Sequence, residues 1–380
     1  MSATAGHARR PLLHTLLRSW TTLAPLGALA VLGATWAHHA HPFALGLVAF
    51  FLVAAVLSAV HHAEVVAHRI GEPYGSLVLA VAVTVIEVGL IVMLMTGGGS
   101  SASTYARDTV FAAVMITLNG IAGLSLLVGA LRHRLVSFNA SGSGSALSTV
   151  VALAGVCLVL PGFTVSAAGY VYSTSQLAFA AAVSLALYVG FVLTQTVQHR
   201  DFFLPVASDA QGRVTGVLED DEQHAAPPSA RAAWASLGLL LAALVGVVGL
   251  AKLLSPTIEH AVAALGLPYA VVGVVIALLV LAPESISAVR HAAADRVQNS
   301  LNLAYGSAMA SIGLTIPAIA VASIWLDGPL ELGLPPTQVV LLAVTVAVSV
   351  LTVAQGRAKA QQGLVHLVLL ATFLFLSAQP

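Results

Sequence analysis

Apolar runs of roughly 20 residues, the length a helix needs to cross a hydrocarbon core of about 30 Å, recur along this chain between short polar links. They fall from Trp20 to Ala37 and at 42–67, 74–96, 107–131, 146–167, 175–198, 232–255, 264–290, 297–324, 336–355 and 362–379. The pattern predicts eleven transmembrane helices, with ends placed to within a few residues. Residues 1–19, MSATAGHARRPLLHTLLRS, are basic and precede the first run, an arrangement shared by signal peptides and first membrane helices. Because ten further spans continue the pattern, the first run is read as a helix.

Basic residues give the spans a direction. With the N-terminus in the cytoplasm, the inner ends and loops hold Arg9, Arg10, Arg18, Arg69, Arg132, Arg134, Arg200, Arg213, Arg231, Arg290, Arg296, Arg357 and Lys359. Of the 15 lysines and arginines only Arg107 and Lys252 fall outside, as the positive-inside bias requires. One span missed or added would scramble the assignment downstream of it. The expectation is a multi-pass protein of a prokaryotic inner membrane with a cytoplasmic N-terminus.

Composition excludes a soluble globule: 58% of residues are hydrophobic and 8% charged, against about 25% charged in ordinary soluble domains. Fifteen basic residues balance fifteen acidic ones, so nothing points to a nucleic-acid partner; the partners expected are membrane lipid and the ions that cross it. The one cysteine, Cys157, cannot form an internal disulfide or build a zinc or iron–sulfur site, and is read as a packed core residue.

One polar connection is sizeable, residues 199–231, which contains the acidic run Glu219, Asp220, Asp221, Glu222. It divides the chain into a cytosolic N-terminus and first helix (1–41), a block of five spans (42–198), the linker (199–231) and a second block of five (232–380). Five is odd, so the second block enters the membrane from the opposite side. The fold class predicted is an all-α polytopic membrane protein, one helix plus two inverted five-helix repeats, the build of many secondary transporters. Residues echo the count: Pro73-Tyr74 and Pro268-Tyr269 each open a second span, and Gly123-Leu124-Ser125-Leu126 loosely matches Gly313-Leu314-Thr315-Ile316.

Each second span carries one carboxylate near its middle, Glu87 in GSLVLAVAVTVIEVGLIVMLMT (75–96) and Glu284 in PYAVVGVVIALLVLAPESISAVR (268–290). A charge at the centre of a membrane helix costs about 3 kcal/mol on insertion scales. The bland explanation is a structural carboxylate, protonated or paired with a buried base. No lysine or arginine lies in either membrane centre to pair with them, so an ion or proton pathway is the better reading. Such a pair is a device for competition, since protons and a cation cannot both occupy it.

Thr84 lies three residues before Glu87 and Ser287 three after Glu284, which puts a hydroxyl on each acid's own helix face. Pro283 cannot donate to the Leu279 carbonyl and is expected to kink its helix there, freeing an oxygen beside Glu284. A hard cation takes such oxygens. Ser300, Ala304, Ser307, Ser311 and Thr315 form a small, hydroxyl-bearing stripe on the next span, which also holds Asn302, a further supporting candidate; Ala112, Asn119 and Gly123 lie similarly on the matching span. These stripes serve close helix packing, ligation, or both.

Three other features are weaker. His61, His62, Glu64 and His68 sit at the inner end of the span at 42–67, as a cytosolic pH sensor or as interfacial residues. The acidic run 219–222 gathers cations at the cytosolic mouth or is a solvated loop. Gly142-Ser143-Gly144-Ser145 looks superficially like an intramembrane protease motif, but with no histidine expected mid-span after it, a flexible connector is the preferred reading. An intramembrane hydrolase therefore ranks below a transporter, and so does a channel, which would conduct without proton coupling.

The stretches GEPYGSLVLAVAVTVIEVGLIV (71–92), RDTVFAAVMITLNG (107–120) and PESISAVRHAAADRVQNSLNLAYGSAMASIGLTIPA (283–318) resemble the cation/proton exchanger family of the calcium:cation antiporter superfamily, and its bacterial sodium/calcium–proton branch most of all. The resemblance runs over nearly the whole chain after residue 40. It implies eleven spans in two inverted five-helix repeats, no enzymatic activity, no resident cofactor, and export of calcium, or of sodium or potassium, driven by inward proton flow. It also implies that Glu87 and Glu284 form the central cation and proton site, with Asn119, Ser307 and Ser311 as supporting ligands. The Gly-Asn-x-x-Glu form of many calcium exchangers is here Val83-Thr84-Val85-Ile86-Glu87 and Leu281-Ala282-Pro283-Glu284, which leaves the choice of cation open.

Overall fold

The computed structural model describes residues 12–36, 42–71, 74–97, 102–208, 214–217, 227–326 and 328–380, with side chains from Trp20 onward except that of Pro42. Pro73, Arg213 and the acidic run at 219–222 lie outside these residues. Among the described residues eleven helices follow one another: α1 Leu12–Thr35, α2 Pro42–Ile70, α3 Tyr74–Thr96, α4 Tyr105–His133, α5 Ala140–Gly162, α6 Thr174–Gln198, α7 Ala230–Ala264, α8 Ala270–Ala293, α9 Val297–Ala322, α10 Pro336–Val353 and α11 Ala360–Ala378. Ten of them, α2 to α11, are long and apolar enough to cross a membrane, and α1 is a further apolar helix.

Two hydrophobic clusters build the body. One joins α1, α2 and α7 and takes in one face of α3 and of α8: Ala82, Ile86, Leu90 and Leu94 from α3, and Val272, Ile276 and Val280 from α8. The other unites α4, α5, α6, α9, α10 and α11, and receives the opposite face of α8 through Val274, Ala277, Leu281, Ala288 and Ala292. The helices that carry the two acids therefore form the seam between two packed bodies.

Glycines set the closest crossings. A Cβ on Gly273 would stand 2.9 Å from Asp108 C and Thr109 N, so α8 meets α4 backbone to backbone near the start of both. Gly363 on α11 is seated against Gly123 O and Leu127 N of α4 in the same way. Packing, then, is what Gly123 does. Ser300 is also spent on packing, donating to Ala288 O at 2.6 Å and tying α9 to α8.

Four of the described helices depart from regular α geometry: α5 and α6 take π-helical turns over Gly155–Val159 and Thr194–Gln198, and two more matter for the polar residues at depth. α4 takes a π-helical turn over Ile116–Ile121, and α9 breaks at Leu314 between Gly313 and Thr315. Interruptions of this kind recur at functional sites inside membranes, where freed backbone groups are shielded by protein. Measured from the helix starts, Asn119 lies as far into α4 as Ser311 lies into α9. The structural counterpart of Asn119 is thus Ser311, and the sequence match of Gly123-Leu124-Ser125 with Gly313-Leu314-Thr315 is two residues out of register.

Sequence expectation is corrected at two places. Gly142-Ser143-Gly144-Ser145 is no flexible connector: Asn139 caps α5 by accepting from Ser141 N and Gly142 N, and Ser143 is buried inside the first turns. A histidine does occur within a later span, His366 on α11, and it is buried.

Both basic residues that defy the charge bias are held locally. Arg107 pairs with Asp108 (Nε to Oδ1, 2.9 Å) and with Glu331 (3.8 Å). Lys252 lies 5.9 Å from the centroid of the Trp36 ring, a cation–π contact.

Candidate functional site

A cavity of about 410 Å³ reaches from the middle of the bundle toward one face. Its deep end is formed by Thr84 and Glu87 on α3, Glu284 and Ser287 on α8, and Ser307 and Ser311 on α9. Tyr188 and Phe191 of α6 wall one side, and Phe203 closes over them with its ring 5.6 Å from that of Phe191. Its outer lining comes from Ser76 at the start of α3, Gln195 and Thr196 at the end of α6, Arg200, His291 at the end of α8, and Asn299 at the start of α9. These are the helix ends that carry the excess of arginines.

The two acids are held differently. Glu87 is 3% exposed and accepts two hydrogen bonds on Oε2, from Thr315 Oγ1 at 2.9 Å and from Ser311 Oγ at 3.2 Å. The donors come from the other half of the chain, and their spacing of four residues puts both hydroxyls on the face of α9 that meets the acid. Glu284 Oε2 is buried and has no hydrogen-bond partner. One carboxylate is clasped on one oxygen, and its counterpart keeps one buried oxygen without a partner.

Among the described residues, no group of three or more His, Cys, Asp or Glu side chains gathers as a metal cage. The donor set at the deep end is two carboxylates with the neutral hydroxyls of Thr84, Ser287, Ser307 and Ser311. Oxygen donors of this kind suit a hard cation, and a set with little charge suits cargo that must leave again.

Of the residues singled out from sequence, Glu87, Glu284, Thr84, Ser287, Ser307 and Ser311 line one cavity. Asn302 lines it nearer the mouth, with its amide engaged: Nδ2 donates to Phe203 O at 2.6 Å and Oδ1 accepts from Gln298 at 2.8 Å. α8 runs on through Pro283. Asn119 is placed elsewhere, on the far side of α4, where Nδ2 donates to Thr345 Oγ1 at 3.0 Å and Oδ1 accepts from His366 Nδ1 at 3.1 Å.

Sequence reasoning placed Thr315 in the stripe that serves packing, ligation, or both, without naming it a site residue, although it makes the shorter bond to Glu87; its spacing of four from Ser311 is the signal that marks it. Tyr188, Gln195 and Thr196 were also missed, because their span carries no acid to draw the eye. The cluster on α2 divides: His62 is buried and bridges three helices, its Nε2 donating to Thr21 O at 2.9 Å and its Nδ1 facing Ser236 Oγ at 3.2 Å. His61, Glu64 and His68 sit on the exposed face of α2.

Ten helices long and apolar enough to cross a membrane, around a polar cavity that two acids line, are the build of a polytopic membrane transporter. The sodium/calcium exchanger protein family matches residues 40–197 and 235–379, and the chain belongs to that family. It is 43% identical over 368 residues to y4hA of Sinorhizobium fredii, named for ionic transport, covering 95% of this chain and 96% of that one. To the sodium-potassium/proton antiporter ChaA of Escherichia coli it is 32% identical over 324 residues, 85% of each chain. Its fold is that of the Ca2+/H+ antiporter YfkE, with a TM-score of 0.68 at 17% identity over 97% of this chain and 100% of that one.

Proposed function

We propose that this chain exports a hard cation from the cytosol in exchange for protons moving inward, by alternating access around Glu87 and Glu284. One observation carries the reading: acids from the two oppositely directed halves line a single cavity, and that cavity opens on the arginine-rich face. By the positive-inside bias this face is cytosolic, so the state described is open to the cytosol. Deprotonated, the pair offers two charges and the surrounding hydroxyl oxygens to a cation; protonated, it offers neither charge. Cation and protons therefore compete for the same oxygens, and competition becomes exchange once the site opens in turn to each side. α3 and α8 lie between two separately packed bodies, so a tilt of the α1–α2–α7 body against the other would change access while the acids stay in place.

Calcium is the first candidate cargo, and sodium or potassium the second; the Gly-Asn-x-x-Glu form is absent here, and ChaA, a relative by sequence, is named for sodium and potassium. The test is proton release from everted membrane vesicles on adding calcium, sodium and potassium separately. Wild-type protein is expected to release protons with at least one of them, and Glu87→Gln or Glu284→Gln to abolish the response at normal protein levels. Normal exchange by either variant would remove that acid from the site.

A further inference from the structure

A buried polar chain runs behind the site. Thr352 Oγ1 lies 3.3 Å from His366 Nε2, His366 Nδ1 lies 3.1 Å from Asn119 Oδ1, Asn119 Nδ2 donates to Thr345 Oγ1 at 3.0 Å, and Thr345 Oγ1 faces Met115 Sδ at 3.7 Å. The donors run in one direction. Asn119 Oδ1 can only accept, so His366 carries its proton on Nδ1 and accepts from Thr352 through Nε2. Asn119 is fully enclosed, and the chain satisfies both ends of its amide.

This placement contrasts with the other half of the molecule. Ser311, at the same depth in α9 as Asn119 in α4, donates to Glu87. α8 and α4 run side by side, Gly273 against Asp108 at one end and Ala292 O beside Gly129 at the other. Glu284 therefore lies level with Asn119 and Gly120. Its Oε2 is buried without a partner, while the amide that mirrors Ser311 faces α10 and α11. Asn119 lies within the π-helical turn Ile116–Ile121, and the position of such a turn sets the face its residues present, since one residue more than an α-helix holds rotates the helix by about 100°.

We infer that His366 and Thr345 are positioning residues that hold Asn119 away from Glu284 while the cavity is open to the cytosol, and release it in the oppositely open state. There Asn119 takes for Glu284 the part that Ser311 takes for Glu87. Shifting the π turn along α4 re-aims Asn119 without moving the helix ends, so the two halves exchange roles as the inverted repeat demands. The inference rests on the proposed alternating-access reading for its transport consequence, but its conformational consequence can be read separately.

The test compares His366→Leu and Thr345→Val, which remove the latch, with His366→Asn, whose amide nitrogen restores a donor at the place of Nδ1. In everted vesicles, the cation KM at the cytosolic side should rise about five- to tenfold in the first two, the equivalent of one or two neutral hydrogen bonds. The KM from the outer side, measured in right-side-out vesicles, should stay the same or fall, and His366→Asn should resemble wild type. A cysteine placed at Gln195, in the cavity mouth, reports the conformation without transport: maleimide labelling in everted vesicles should slow in the His366→Leu and Thr345→Val backgrounds. Unchanged labelling together with equal KM changes on both sides would overturn the inference, since a structural role alone predicts that result. Absence of cation-driven proton release in wild type would sink the exchange reading instead and leave the labelling result standing.

Discussion

Thr315 and Glu87 come from opposite halves of the chain, and the hydroxyl of one donates to the carboxylate of the other at 2.9 Å in the middle of the bundle. This bond, with that of Ser311 on the same oxygen, joins α9 to α3 at the deep end of the cavity proposed to take the cation. Hydrogen bonds to a charged group contribute about 1.5–3 kcal/mol. Thr315→Val, which keeps the shape and removes the donor, should raise the cation KM about tenfold or more while exchange persists. An unchanged KM in proton-release assays would show the bond to be incidental.

Ser300 and Ser307 share a helical stripe but not a role. Ser300 bonds Ala288 O, whereas Ser307 lines the cavity. Ser300→Ala is expected to lower thermal stability in detergent by about 1 kcal/mol with the cation KM intact. Ser307→Ala should reverse that pattern, weakening the KM with little change in melting. Identical effects of the two variants would contradict the separation drawn between packing and ligation.

Gly363 seats α11 against α4, and a Cβ there would meet Leu127 N at 2.5 Å and Gly123 O at 2.6 Å. Backbone cannot give way as a side-chain tip can, so Gly363→Val should force the helices apart at a cost of about 1–3 kcal/mol. Fluorescence-detected gel filtration after heating would read the loss. Because α11 also carries His366, the cytosolic KM should rise in the same variant; wild-type melting would show that the crossing is looser than described.

Arg107 stands on the arginine-poor face because Asp108 and Glu331 hold it there. Arg107→Gln leaves Asp108, which is 5% exposed, without its cation, and breaking a buried pair of this kind costs about 3 kcal/mol or more. A lower melting temperature is expected, restored in large part by adding Asp108→Asn. Failure of the double variant to recover would place the loss in the packing of the Arg107 stem.

Span number, the five-and-five division that inverts the second half and the choice of Glu87 and Glu284 as candidate site residues follow from the sequence by itself. Each is governed by a rule that acts on local composition: a fixed hydrocarbon thickness sets the run length, an odd number of spans per half inverts the second, and a carboxylate among apolar residues is costly unless it has work. Tertiary structure decided which polar groups meet. Ser311 and Thr315 reach Glu87 because α9 packs against α3, Asn119 meets His366 where α4 takes a π turn, and His366 is buried because α11 packs on Gly123. A π turn changes the face a residue presents by a quarter-turn or more, and that rotation, like a partner some 240 residues away, leaves no trace in the periodicity of the segment that carries it.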